Sequence, residues 1–380
     1  MKNLQLINTI KIIISIIVVV SALGFLINKT SFISYFFQTS EIETKKIINP
    51  ENDTISYTEK IDNFVMQEFN ENQELTQYIQ AKTYINYKNS PVALILPVIT
   101  TYDGKGLPYY QINSDRAGYL NERDVKFEGS VTIKPNNGVG HHMKTEELFV
   151  NSETNSFYSN SKVNYYDKSI RIEAQEGIRV NTKDDKMNLI GYTEIKLEDG
   201  QTLNTKNLSV DRSEGREHYF SEFPTIYMSD DNKVSSEAMD LDMQKNILNL
   251  FGEAKIESPD SLINTRNLVI DKSTGKERYY SKQNTEYLTN SNKIYSEAID
   301  INMKSSVSQL YGKVKILQTS GTIIDTKNLE INKSNGMEVY KTNEKIHYKS
   351  KVANIKATGM HYDASSQIMN LNGEVFGIYE

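Results

Sequence analysis

The chain has 380 residues, neither Cys nor Trp, and a formal net charge of −6 from 43 basic and 49 acidic residues. The lack of Cys excludes disulfides, thiolate metal sites and a Cys nucleophile, and the acidic balance argues against nucleic-acid binding, which needs a basic surface. A hydrophobic share of 38% is below the roughly 45–50% of globular proteins, and it favours a shape with much surface for its volume.

The N-terminal segment is predicted to be a membrane anchor. Residues 12–27 read IIISIIVVVSALGFLI, carry no charge and lie between Lys11 and Lys29. At ~1.5 Å per residue this run covers about 24 Å, short for a ~30 Å hydrocarbon layer. Apolar residues before Lys11 extend it, and Lys11 can reach back to the interface.

A cleaved signal peptide is the alternative, with a weak small-residue site at Ala22–Gly24. Cleavage there leaves Phe25 and two further apolar residues at a new terminus, so we expect the anchor to be retained. Positive charges flank both ends and do not decide the orientation. We expect 1–11 in the cytoplasm, a transmembrane signal-anchor at 12–29, a polar linker at 30–57 and an exported remainder.

Residues 58–124 are a divergent lead-in whose apolar residues alternate, as in IDNFVMQEF and YIQAKTYINY. Alternation of period two is typical of strands. Residues 102–106, YDGKG, predict a hairpin turn. Their lone G-x-G is weak evidence for phosphate binding, because no helix follows it.

From residue 125 onward the sequence repeats in units of about 60 residues. A strand-like segment ends in Gly129, Gly191, Gly252, Gly312 and Gly373. A second mark, T-[KR]-N-L or TEEL, begins at residues 145, 205, 265 and 326, and a third, an Asp/Asn-basic-Ser-x-Gly segment, begins at residues 211, 271 and 332. Because the marks keep one phase, they indicate a repeat architecture.

Within each unit the alternation around the Gly predicts a strand with one buried and one wet face. Excluding that Gly, 17 of 20 positions in the row are apolar, and the intervening positions, such as Lys126, are mostly polar. The candidate apolar row is Val125, Phe127, Val131, Ile133, Met187, Leu189, Ile195, Leu248, Leu250, Ile256, Leu310, Val314, Ile316, Met369 and Leu371.

The Asp/Asn-basic-Ser-x-Gly segments are turns, in which the Asp or Asn side chain caps the turn and Gly takes a positive φ. They predict roughly four strands per unit in an antiparallel all-β architecture. About 20 strands cannot stay in one flat sheet, so we expect two sheets with their apolar faces together. Two strands per sheet and unit, at ~4.8 Å each, give about 10 Å per unit and a rod of about 50 Å.

The Gly at the centre of each apolar row has two interpretations. One is a bulge or bend within an ordinary sandwich core. The other is space for a guest molecule, if the missing side chain lies where the two sheets face each other. The residues alone favour the bend.

The sequence gives little support for catalysis or metal binding. His141 and His142 are neighbours, but adjacent residues on a strand point to opposite faces, which disfavours a shared metal. The pairs Asp184–Asp185 and Asp230–Asp231 lack the spacing of a calcium loop, and Asp240 and Asp242 lie on a repeated polar face. We predict no enzyme activity, no catalytic or metal residue and no cofactor.

The order of these marks resembles the lipopolysaccharide export proteins LptC and LptA. The lead-in and VKFEGSVTI look like the start of LptC, and LNLFGEAKI and QLYGKVKI look like the repeating module of LptA and related organic-solvent-tolerance proteins. The resemblance covers residues 58–380, with 58–124 as the LptC-like lead-in and 125–380 as continuous LptA-like repeats. The chain is longer than a typical LptC, which leaves open whether a separate LptA is needed.

The resemblance implies an elongated antiparallel β-jellyroll, a β-taco, whose apolar interior holds acyl chains. It implies an inner-membrane, single-pass protein with its C-terminal domain in the periplasm, lipopolysaccharide or lipooligosaccharide as ligand, and an ATP-powered inner-membrane permease as partner. An LptA-like protein is expected to add strands at an edge formed by Val375, Phe376 and Ile378. The alternative is an anchored structural spacer or surface-interaction protein with a closed core.

Overall fold

The computed structural model forms an antiparallel, all-β stack, as predicted. It describes residues 56–379 except 71, 89–91, 104, 122–123, 137–140, 152–153, 155, 167–168, 182–183 and 216. The predicted anchor at 12–29 lies outside the described residues, as does the linker up to residue 55. Among the residues described, no helix is long and apolar enough to cross a membrane.

Runs of two or more long strands are separated by short strands. The long strands are β1 (Tyr57–Phe69), β2 (Leu75–Tyr87), β7 (Asp124–Pro135), β8 (His142–Asn151), β13 (Lys186–Leu197), β14 (Thr202–Asp211), β19 (Ile247–Ser258), β20 (Ser261–Asp271), β25 (Val307–Gln318), β26 (Ile323–Asn332), β27 (Val339–Lys349) and β28 (Ala353–Asp363). Two short 3-10 turns lie at Ser213–Gly215 and Ser334–Gly336.

The short strands belong to one of two sheets, here called sheet I and sheet II. Those of sheet I are β3 (Ala93–Ile95), β6 (Arg116–Tyr119), β9 (Ser156–Ser159), β12 (Gly177–Asn181), β15 (His218–Ser221), β18 (Ala238–Asp242), β21 (Arg278–Ser281), β24 (Ala298–Asn302) and β29 (Ile368–Leu371). Those of sheet II are β4 (Val98–Tyr102), β5 (Pro108–Asn113), β10 (Val163–Tyr166), β11 (Ile170–Ala174), β16 (Thr225–Ser229), β17 (Asn232–Ser236), β22 (Thr285–Leu288), β23 (Asn292–Ser296) and β30 (Phe376–Tyr379).

Each long strand contributes one half to each sheet. In β19, residues 247–251 pair with β18 of sheet I and residues 255–257 pair with β17 of sheet II. Between these halves the pairing of β19 with β20 shifts at Leu250 and Glu253, which marks a bulge. The long strands therefore join the two sheets along a common corner, because a bulge bends the strand that carries it.

The two most regular sequence marks meet at this corner. Gly252 has φ +75° and Asn267 has φ +51°, and the Gly252 N–H donates a hydrogen bond of 3.1 Å to Asn267 Oδ1. Gly and Asn are the residues that tolerate such φ values best. The same bond joins Gly191 to Asn207 at 2.9 Å and Gly312 to Asn328 at 3.1 Å.

The regular spacing of this Gly from unit to unit therefore reflects the bend. A Cβ added to Gly252 would lie 2.0 Å from Glu237 Oε2, and Glu237 is exposed. The missing side chain faces the convex, outer side of the corner, so it leaves no room between the sheets. The interpretation of this Gly as a bend is confirmed, and the interpretation that it leaves space for a guest molecule is wrong at this point.

The number of strands per unit was underestimated. From β13 to β18 one unit supplies four rungs, two of them bent strands and two of them pairs of short strands. Twelve long strands and nine short pairs give 21 rungs in the described residues. At ~4.8 Å per rung each unit advances about 19 Å and the stack is about 100 Å long, twice the expected length.

Candidate functional site

The space between the two sheets is V-shaped, and hydroxyl side chains line its corner. Thr205 Oγ1 lies 2.8 Å from Ser221 Oγ and 3.0 Å from Thr225 Oγ1. Thr265 and Thr285 form the same contact at 2.9 Å in the next unit. All five side chains are buried, and their hydroxyls satisfy one another's hydrogen bonds. The Thr of T-[KR]-N-L thus packs on the inner side of the bend.

The middle of the V is apolar, and the residues predicted for the apolar row lie there. Most are buried: Phe127, Val131, Met187, Leu189, Ile195, Leu248, Leu250, Ile256, Leu310, Val314 and Ile316. Val125, Ile133, Met369 and Leu371 are partly buried and pack against the same core cluster. The row is therefore continuous along the stack.

This apolar interior is filled by its own side chains. Leu189, Leu250 and Leu310 are each 0% exposed, and residues of both sheets belong to one core cluster. The expected wet face is present at Asn249 and Gln309, which are only partly buried. Lys126 is the exception, because it is buried over the Phe149 ring and paired with Glu128 at 2.6 Å.

Polar contacts bridge the mouth of the V, where the rims of the sheets meet. Lys272 follows β20 at the rim of sheet I, and Asp199 lies in the β13–β14 hairpin at the rim of sheet II. The Lys272 ammonium donates to Asp199 Oδ2 at 3.1 Å and lies 5.5 Å from the centre of the Tyr227 ring. The Lys272 side chain is 13% exposed and that of Asp199 is 52% exposed, so solvent reaches the carboxylate more readily than the ammonium.

Glu277 forms a second bridge at the same place. It precedes β21 of sheet I and accepts hydrogen bonds from the Tyr227 hydroxyl of sheet II at 2.8 Å and from Ser229 Oγ at 3.2 Å. Tyr279, on its own sheet, donates to it at 2.9 Å. Burial, and secondly the negative charge of Glu277, raise the pKa of the Tyr227 hydroxyl. A tyrosine hydroxyl is already protonated at neutral pH, and the raised pKa keeps that of Tyr227 able to donate at higher pH as well.

The bridge formed by the cation recurs in the flanking units. Lys333 Nζ donates to the backbone carbonyl of Asp260 at 3.4 Å and lies 5.4 Å from the centre of the Tyr287 ring. Arg212 donates to the Tyr165 hydroxyl and lies over its ring. We call these three sets mouth latches. Their members are Arg212, Glu217, Tyr219 and Tyr165; Lys272, Asp199, Glu277, Tyr279 and Tyr227; and Lys333, Glu338, Tyr340 and Tyr287. Glu217 and Glu338 each accept a hydrogen bond from the Tyr two positions later.

Sequence reasoning assigned these segments to turns and missed the latches. The turns are confirmed, since the Ser273 N–H donates to Asp271 Oδ1 at 2.9 Å and Gly275 has φ +70°. The missed signal was a basic residue followed by Glu five positions later and Tyr seven positions later. It begins at residues 212, 272 and 333, in phase with the other marks.

The adjacent histidines His141 and His142 do not converge on one site. His141 and His142 lie beside Tyr165 and Tyr166, with ring centroids 5.5 and 4.8 Å apart. Tyr165 is buried and Tyr166 is partly exposed, as expected for opposite faces. Across the part of the chain that the structure covers, no group of three His, Cys, Asp or Glu could hold a metal ion.

The predicted partner edge lies in the last rung. In the described residues β29 and β30 pair with β28 on one side only. Val375, Phe376 and Ile378 are 55%, 67% and 55% exposed. They combine an unpaired strand edge with exposed apolar side chains, a combination that proteins usually avoid.

Comparison with known proteins gives one family. The model described as lipopolysaccharide-assembly, LptC-related, matches residues 25–198 and 277–380, well over half of the chain. No curated protein matches the chain. The unmatched residues between the two stretches hold in-phase rungs from β14 to β20, so the stack continues through them without a break.

Proposed function

The chain belongs to the LptC-related family of lipopolysaccharide-assembly proteins, and on this basis we propose that it holds lipopolysaccharide acyl chains between its two sheets and passes the lipid along the stack. A role in lipopolysaccharide transport follows from the family. The groove, the direction of passage and the anchored position are our proposal.

The continuous apolar interior carries this proposal. An acyl chain gains about 0.8 kcal/mol for each buried CH₂, provided that no unpaired polar group lines its path. The backbone groups of the rungs are used in the ladders between strands, and 17 of the 20 positions in the row, excluding the central Gly, are apolar. Such a surface needs no catalytic residue, and movement is driven from outside by a permease.

The filled interior supports one rival function. Leu189, Leu250 and Leu310 are fully buried by neighbouring side chains, as expected for a spacer with a closed core. Under our proposal the two sheets part to admit an acyl chain. The two functions therefore differ in whether lipid ever reaches the apolar row.

Photo-crosslinking in cells separates them. A photoreactive residue at Leu250 should capture lipopolysaccharide, whereas the same residue at the adjacent Asn249, on the opposite face of β19, should not. Leu310 and Gln309 provide the same pair one unit further along. Lys126 is unsuitable as a control because it is buried. Equal capture at both members of each pair, or none at Leu250 and Leu310 in folded protein, would leave the spacer as the better function.

We further propose an inner-membrane anchor at 12–29, a periplasmic stack and a permease as partner. The exposed edge at Phe376 and Ile378 suits an LptA-like protein, which would continue the backbone ladder. Charges on edge strands oppose such pairing, so Phe376→Lys with Ile378→Lys should abolish recovery of that partner. Ile226→Lys with Met228→Lys, two exposed positions on β16, which is paired on both sides, is the control for added charge. Unchanged recovery by the double variant would place the joint elsewhere.

A further inference from the structure

The mouth latches lie on the path that a lipid would take into the interior. The bent long strands run from one sheet into the other at the corner. Because their backbone is covalent, the sheets cannot separate there. At the mouth they are held by side chains such as Lys272, Asp199 and Glu277. The V can therefore open only at the rims, with the corner as its hinge.

Entry from the end of the stack faces a larger obstacle. An acyl chain that threads lengthwise must displace fully buried side chains at rung after rung, among them Leu189, Leu250 and Leu310. Entry through the mouth needs the parting of one latch and of the few rungs beside it. In each latch the two tyrosines are buried, whereas the cation and the Glu are at least partly exposed, so water can solvate these charged groups when the contact breaks.

We propose that lipopolysaccharide enters sideways through the mouth, unit by unit, as each latch opens. This inference rests on the proposed function. Opening at Lys272 separates its ammonium from Asp199 and leaves it at the rim, beside the outer part of the lipid. Lipopolysaccharide is anionic at its head group, so the freed cation offers a partner in place of Asp199. Arg212 and Lys333 repeat this cation one unit away on either side.

Locking one latch tests the route. Because the chain has no Cys, Asp199→Cys with Lys272→Cys supplies only two thiols, which a short bis-maleimide can join across the mouth. The control is Lys233→Cys with Glu257→Cys, an ion pair of 3.4 Å between neighbouring strands of sheet II. The control link has a similar span but does not cross the mouth.

The readout is capture of purified lipopolysaccharide by a photoreactive residue at Leu250 in the full chain. The locked mouth should reduce capture at least tenfold relative to the same protein before linking, and the control link should leave it unchanged. Equal capture by the locked and control proteins would overturn sideways entry. Absence of capture in every form, linked or not, would instead contradict the proposed function.

Weakening the latch should have the opposite effect on lipid capture. Glu277→Gln replaces the acceptor of three hydrogen bonds by a neutral amide and should accelerate capture at Leu250 severalfold. Glu253→Gln, an exposed position on β19, should not. Hydrogen exchange of β21 reports whether the variant still folds. If Glu277→Gln folds and captures at the rate of Glu253→Gln, the latch does not control entry.

Discussion

The bend at Gly252 can be tested by adding a single methyl group. Gly252→Ala places a Cβ at φ +75°, which costs an L-residue about 1–2 kcal/mol, and the new atom would lie 2.0 Å from Glu237 Oε2 and 2.9 Å from Glu237 Cβ. The carboxylate can swing away, but the Cβ of Glu237 is fixed by its backbone. We expect a total loss of about 2–3 kcal/mol in local stability.

Gly275→Ala is the matched control. Gly275 has φ +70°, and nothing lies within 4 Å of its added Cβ, so it should lose only the backbone term of about 1–2 kcal/mol. Hydrogen exchange of the amides in β18 to β20 and in the turn at Gly275 measures the two local losses separately. Equal losses would show that the contact with Glu237 is not what requires Gly at the corner. No loss in either variant would refute the bend as described.

Three further variants follow from the same geometry. Leu250→Ala should destabilise the protein by about 2–5 kcal/mol in chemical unfolding, because it leaves a cavity at a site that is 0% exposed, whereas Asn249→Ala should change stability far less. Asn267→Ala removes the acceptor for the Gly252 N–H and places Ala at φ +51°, so it should cost about 2–3 kcal/mol, most of which Asn267→Asp should restore. Hydrogen bonds from the Ser273 side chain and backbone hold the pKa of the Asp271 carboxyl below its usual value. The stability that Asp271 contributes is therefore present above the unfolded pKa of about 3.9 and is lost as pH falls through the folded pKa. Asp271→Asn, which introduces the residue type found at Asn332, should remove that part of the acid dependence of stability, and an unchanged acid profile would contradict this expectation.

The apolar row and the phase of the repeat could be predicted because they depend on local alternation. Leu248, Leu250 and Ile256 are buried as expected, and the aromatic exceptions Phe251 and Tyr311 are 45% and 43% exposed, as side chains on the wet face should be. A period of two along a strand fixes which face a residue occupies. It does not fix where the strand bends.

The rung count and the latches could not be obtained in this way. In residues 232–242 only Glu237 separates β17 from β18. The alternation of apolar and polar residues there is the same as in a single strand, although the two strands lie in different sheets. The latch between Lys272 and Asp199 joins residues 73 positions apart. Such contacts depend on how the two sheets face each other, and the in-phase spacing of the basic, Glu and Tyr residues was their only trace in the sequence.

In the part of the chain that the structure describes, each rung pairs with the rung before it and the rung after it along the chain. A whole unit could therefore be duplicated or removed, and the strands on either side of the change would meet the same partner types as before. The span of the molecule would change in steps of about 19 Å at ~4.8 Å per rung. Gain or loss of units would therefore change the length of such a protein in fixed steps, while the corner, the interior and the mouth of each remaining unit keep their chemistry.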